Sequence, residues 1–178
     1  MRAIKTLLFS VCILTFTSNG FAASWSVSSA PFNASVAKAA KTTNDSGDAL
    51  YMWRGAQAGQ FFAELQLAQG KNLSNKTPGY QIDQGMIVKL NRIPVEPFKS
   101  KEGWLRITDR SATWQVYDGE NNTVNKDEAF YNWFVGDRIR FIYFEANGTE
   151  RTTEFSLTGS SSSFAKAAGV KAVGVSTE

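Results

Sequence analysis

The sequence predicts an all-β fold, an antiparallel β-sandwich or partly open barrel with one or two short helices. Three observations carry this expectation. Short runs of apolar, aromatic and β-branched residues recur along the chain after residue 23, some with strict period-two alternation. Clusters of Gly, Asn, Asp, Ser or Pro separate those runs at short intervals. Stretches with helical spacing are few and brief, as in a sandwich or barrel.

Taken in order, Trp25-Ser26-Val27-Ser28 opens the domain and Ala49 to Arg54 (ALYMWR) is the next apolar run. Between them, Val36 to Thr43 suits either a strand or a helix, because its alanines and lysines are good helix formers. Phe61 to Leu67 alternates: Phe61, Ala63, Leu65 and Leu67 face one way, Phe62, Glu64 and Gln66 the other. This pattern predicts a strand buried on one side. Lys71 to Gly79 (KNLSNKTPG) is a polar loop.

Tyr80 to Ile82 and Met86 to Leu90 flank Asp83-Gln84-Gly85, a hairpin whose three-residue loop would place Gly85 in the left-handed conformation. That sets Ile82 opposite Met86 and Tyr80 opposite Val88. Pro94 and Pro97 break the chain, and Trp104 to Thr108 with Ala112 to Tyr117 form a further hairpin around Asp109-Arg110-Ser111.

Asn125 caps a short helix in this reading, with Glu128 in a capping-box-like position and Ala129, Phe130, Trp133 and Phe134 on one stripe. Gly136-Asp137 ends it. Arg138 to Glu145 and Thr149 to Leu157 then enclose Ala146-Asn147-Gly148. A two-residue Asn-Gly turn would set Glu145 opposite Glu150 and Phe141 opposite Glu154, which opposes like charges and mismatches faces. A three-residue loop with Gly148 left-handed sets Ile139 opposite Phe155 and Arg140 opposite Glu154. Favourable cross-strand pairs are worth about 0.2–1 kcal/mol each, so the second register is expected. Ser160 to Ala168 reads as a short helix, with Phe164 packing inward, and Gly169 to Glu178 as a flexible tail.

The N-terminus predicts export. Arg2 and Lys5 precede a mostly apolar run, Thr6 to Thr17, and Gly20-Phe21-Ala22 offers small residues at the −3 and −1 positions of a cleavage after Ala22. A run of 12 residues rises about 18 Å as a helix, too short for a bilayer core. The expected organisation is a signal peptide over 1–22, one domain over 23–168 and the tail over 169–178, with a periplasmic or secreted location and no stable membrane insertion.

The chain carries 19 Lys+Arg against 16 Asp+Glu; without Arg2 and Lys5 the balance is 17 against 16, a net of +1. No basic tract remains to argue for nucleic acid. Cys12, the single cysteine, lies in the signal segment, and histidine is absent from the whole chain. Ser-His-Asp and Cys-His nucleophile systems and Cys/His zinc sites are thereby excluded.

The motifs Trp25-Ser26-Val27-Ser28, Tyr80-Gln81-Ile82-Asp83-Gln84-Gly85 and the closing segment carry a family resemblance. That segment runs from Gly136-Asp137-Arg138-Ile139-Arg140-Phe141 through Glu154-Phe155-Ser156-Leu157-Thr158-Gly159 to Phe164-Ala165-Lys166-Ala167. On these residues the chain resembles the invasion-associated locus B family of bacterial envelope proteins. It is also similar to the periplasmic accessory proteins of type VI secretion. The resemblance implies a periplasmic or secreted β-sandwich with a role in host-cell invasion and no known catalysis.

Remaining candidates for chemistry are weighed against structural roles. Asp109, Asp118, Glu120, Asp127 and Glu128 fall between Trp104 and Trp133, and two facing carboxylates could act as acid and base; turn and cap positions explain Asp109, Asp118 and Glu128 equally. Trp25, Trp53, Trp104, Trp114 and Trp133 could stack on sugars, yet aromatics in strands usually fill cores. Asp83 and the pair Asp45 and Asp48 lack the spacing of a calcium loop. Asn33, Asn44, Asn72, Asn75, Asn121 and Asn147 head Asn-x-Ser/Thr sequons, which mark polar loops. No catalytic, cofactor-binding or metal-binding residue is assigned. The expected function is a non-enzymatic envelope or secreted protein that binds a protein partner. The alternative is a carbohydrate-binding module or a histidine-free carboxylate hydrolase.

Overall fold

The computed structural model describes residues 24–29, 38–57, 59–90, 105–119 and 121–177. The expected signal peptide, Asn33, Pro94, Pro97, Trp104 and Glu120 lie outside them, as does the Asp118 side chain.

The described strands are β1 (Ser26–Ser28), β2 (Ala39–Thr43), β3 (Ala49–Arg54), β4 (Gln60–Gln66), β5 (Gly79–Ile82), β6 (Val88–Lys89), β7 (Leu105–Ile107), β8 (Ser111–Asp118), β9 (Thr123–Val124), β10 (Arg138–Phe144), β11 (Glu150–Ser156) and β12 (Lys171–Ala172). Two antiparallel sheets result, in the orders β1-β2-β3-β4-β8-β7 and β11-β10-β5-β6, with a small parallel pair of β12 and β9 beside them. The fold is all-β, a β-sandwich, with a short helix α1 (Asn132–Val135) preceded by a 3-10 turn over Ala129–Tyr131, and a second helix α2 (Ser160–Ala168). No helix among the described residues is long and apolar enough to cross a membrane.

The ambiguous alanine segment is strand β2, and Ala39 and Ala40 are both fully buried. α2 packs over β1, β2 and β3, which favours small side chains beneath it. Phe61, Ala63, Leu65 and Leu67 enter the core, as the alternation predicts. The opposite face of β4 is not solvated, however. Glu64 is buried and accepts a hydrogen bond from Thr113 Oγ1 at 2.9 Å, while Phe62 packs on a second cluster of Ala39, Ala49, Tyr51 and Trp53. The cause lies in β3, whose unbroken apolar run buries side chains on both faces.

The hairpin of β10 and β11 takes the register expected from charge and face. Ile139 pairs with Phe155, Arg140 with Glu154, and Gly148 sits at φ +84°. Open space surrounds Gly148, with Lys76 Nζ the nearest atom at 3.6 Å from an added Cβ. Gly148→Ala is therefore expected to cost about 1–2 kcal/mol from the left-handed backbone alone, read as a shift of the urea midpoint with an unchanged slope.

Tyr80 does pair with Val88, but the loop between β5 and β6 differs from expectation. The left-handed residue is Asp83, at φ +50°, and the Gly85 N–H closes a turn onto the Ile82 carbonyl at 2.9 Å. Aspartate tolerates this conformation when its side chain satisfies nearby backbone groups. Here the Asp83 carboxylate accepts N–H bonds from Asp137 (3.1 Å) and Arg138 (2.9 Å), tying the turn to the start of β10.

Helix α1 begins later than Asn125. Glu128 does reach back to accept the Asn125 N–H, but residues 125–128 form a turn and Glu128 itself is extended (φ −86°, ψ 135°). Phe130, Trp133 and Phe134 still share the buried stripe. At the C-terminus, the expected tail is held as far as residue 176, where the Ser161 hydroxyl donates to the Ser176 carbonyl at 3.3 Å. Val170 is fully buried, and β12 pairs Lys171 with Thr123 and Ala172 with Val124. Alternation of Val170 and Ala172 toward the core was masked by the glycines around them.

Candidate functional site

The outer face of the four-stranded sheet gathers the side chains that the core does not use. Along β10, Ile139, Phe141 and Tyr143 point inward, which sends Arg138, Arg140, Ile142 and Phe144 outward. Gln81 lies opposite Arg140, and Gly79 opposite Ile142. The strand thus grades from charged to apolar along its outer side.

Two open grooves divide this face. One, of about 500 Å³, is polar and lined by Gln81, Asp83, Gln84, Asp137, Arg138, Arg140 and Glu154. Arg138 and Arg140 share one carboxylate, Glu154, at 3.3 and 3.2 Å. The other, of about 660 Å³, runs over Gly79, whose missing side chain leaves a trough between Ile142 and Lys89. Lys76, Pro78, Ile87 and Phe144 complete its walls, with Lys76 Nζ 5.0 Å from the centre of the Phe144 ring. Beside it, Met86, Ile87 and Val88 expose 91, 54 and 39% of their surface. Exposed apolar residues clustered at one sheet edge mark an interaction surface more than scattered ones do. Isolated strand patterns give no hint of this edge, because it depends on which strand ends the sheet.

Of the described sequence-predicted candidates, Asp83 lines the polar groove and the others fall elsewhere. Asp48 is a structural tie, buried completely between the sheets. Its carboxylate accepts the Ala68 N–H (2.8 Å), Thr153 Oγ1 (2.6 Å) and both contacts of Lys71 Nζ (2.8 and 2.9 Å). Burial pushes its pKa up, but the hydrogen bonds from Ala68, Lys71 and Thr153 and the Lys71 charge outweigh that and hold it below the ordinary aspartate value. Asp45 is exposed and Asp83 clamps β10. Among the described residues no three His, Cys, Asp or Glu side chains group as a metal site.

Of the carboxylates weighed as an acid–base pair, Asp109 and Glu128 lie far apart. Asp109 lies in the turn before β8, and Glu128 sits against Tyr117 near the strand's far end. The strand between Ser111 and Tyr117 spans about 20 Å, far beyond a facing pair. Asp127 is exposed in a turn. Tyr117 donates to Glu128 Oε1 at 3.0 Å, and burial together with that carboxylate pushes its phenol up to about 12. It is a protonated donor at neutral pH.

Trp25, Trp53, Trp114 and Trp133 are all buried, at 8, 4, 2 and 0% exposure. None offers a sugar platform. Trp104→Phe protein is therefore expected to show blue-shifted emission that acrylamide quenches weakly; strong quenching would mean that one of these four reaches solvent. Among the sequon asparagines, Asn44 donates through Nδ2 to Thr153 Oγ1 (2.7 Å) and the Glu154 carbonyl (3.1 Å), while Asn121 and Asn147 accept the N–H groups of Thr123 (2.7 Å) and Thr149 (2.9 Å). Compared with protein-family models, curated proteins and solved structures, the chain matches none.

Proposed function

We propose that this is an exported, non-catalytic β-sandwich that binds a protein partner through the outer face of its four-stranded sheet. The observation that carries the reading is the Gly79 trough on that face together with the exposed Met86-Ile87-Val88 edge that borders it. A partner covering both would bury apolar surface at its centre and meet Arg138, Arg140, Lys76 and Lys89 around the rim, the usual distribution in protein interfaces. The sugar-binding alternative has lost its four described tryptophans to the core, and the hydrolase alternative lacks a facing carboxylate pair in Asp109 and Glu128. The resemblance to invasion-associated envelope proteins agrees with a binding role in the periplasm or outside the cell.

Parallel affinity capture tests it, using wild-type and Ile142→Asp protein on the same bacterial envelope extract. The variant places a charge in the trough without touching the core, and circular dichroism checks its fold. A partner held by wild type and lost with Ile142→Asp is the expected result. A partner retained equally by both would move the site away from this face.

A further inference from the structure

The two edges of the four-stranded sheet are finished differently. In β11, the backbone groups of Glu154 and Ser156 face away from β10, and side chains from the other half of the domain take their carbonyls. Asn44 Nδ2 donates to Glu154 at 3.1 Å and Trp25 Nε1 to Ser156 at 2.8 Å. Glu150, Arg151 and Glu154 add charge along the same strand. Such closure and charge are what keeps a strand edge from pairing further.

Among the described residues β6 has no such closure, and its one charge is Lys89. The Leu90 N–H bonds to the Pro78 carbonyl at 3.0 Å, so Tyr80 and Val88 form the hydrogen-bonded pair of the β5–β6 ladder. By antiparallel alternation the N–H and C=O groups of Ile87 and Lys89 point away from β5. Among the described residues no partner meets them. Side chains alternate along the same strand. Ile87 and Lys89 face the trough, while Val88, opposite Tyr80, turns to the other side, with Met86 exposed to solvent just before it.

Resting on the binding role proposed above, we propose that β6 takes an extended segment of the partner as a fifth strand of this sheet. The segment alternates apolar with acidic side chains. Its apolar set covers Met86 and Val88, and its acidic set lies over the trough beside Lys89 and Lys76. The lining chooses the acidic sign: Lys76 and Lys89 against the single carboxylate Glu150. Backbone bonds to Ile87 and Lys89 supply affinity and the side-chain alternation supplies selectivity, as in other strand-addition complexes.

An octapeptide alternating valine and aspartate, its valine–lysine counterpart, and the aspartate peptide N-methylated on alternate residues form a direct test. Each is titrated into the full mature protein labelled with ¹⁵N. The aspartate peptide should shift the amides of Met86 to Lys89 and slow hydrogen exchange at Ile87 and Lys89. Losing even two ladder bonds by N-methylation should weaken it by roughly tenfold. Lys89→Glu should reverse the preference toward the lysine peptide. Ile87→Pro, which removes an outward N–H and no ladder bond of the fold, should weaken the aspartate peptide similarly.

Equal binding of the two charges, indifference to N-methylation, or no shift at β6 with any peptide would overturn strand addition. Shifts at β6 that grow with protein concentration without peptide would overturn it in favour of a second copy of this chain. These failures are separate from that of the broader reading, which falls if Ile142→Asp retains the captured partner.

Discussion

Asp48→Ala is expected to destabilise the domain by about 3–5 kcal/mol, a lowering of the melting temperature on the order of 10 °C for a domain of this size. The replacement strands the Thr153 hydroxyl, the Ala68 N–H and the Lys71 ammonium around an empty site, since all of them converge on the one carboxylate. Part of the loss is long-range. Asp48 precedes β3 in the first sheet, whereas Thr153 lies on β11 in the second, so the cluster fastens the two layers.

Acid should mimic the substitution. Asp48 is held below the ordinary aspartate value of about 3.9 in the fold. Above that value both the folded and unfolded chains carry the charge, and the stabilisation is fully present. As pH falls below about 4, the unfolded chain takes up a proton that the folded one refuses, and stability drops until the folded-state pKa is passed. Urea midpoints measured between pH 7 and 3 should therefore slope less steeply for Asp48→Asn than for wild type. Parallel slopes would show that this carboxylate is not the linked group.

Trp133→Ala should cost a similar amount, about 3–5 kcal/mol. Trp133 is fully buried and packs against Tyr80 (5.5 Å between ring centres), Phe130 (6.0 Å), Trp114 (6.3 Å) and Phe164 (6.4 Å). It therefore joins β5, β8, α1 and α2 at one point. Truncation opens a cavity that four aromatic rings cannot fill without leaving their own contacts. The near-UV dichroism of the tryptophans should collapse along with the urea midpoint. Trp114→Phe is the informative contrast. Its indole N–H has no acceptor, so the smaller ring forfeits no hydrogen bond, and a cost below about 2 kcal/mol is expected.

Local chemistry was readable where two constraints coincided. In the β10–β11 hairpin both charge and face demanded the same register, and Gly148 supplied the turn. The alternation from Phe61 to Leu67 similarly identified its core face. The left-handed position in the β5–β6 loop was harder, because Asp83 is chosen through its bonds to Asp137 and Arg138, more than fifty residues away. The Asp48 cluster was hidden for the same reason: nothing near it in sequence announces Thr153. The binding face was the least visible feature. Its trough arises from Gly79 lying between neighbours on other strands, and its edge from β6 standing last among the described strands of the sheet, which only strand order reveals.

The bond from Trp25 to the Ser156 carbonyl spans 131 positions. A chain made from its first residue onward therefore holds its opening strand without this anchor until almost all of the domain has been synthesised. The parallel pairing of β12 with β9 adds a second late closure. Contacts this distant slow folding, because loop closure must precede the reward. The opening strand therefore gains its full set of contacts only after β11 has formed.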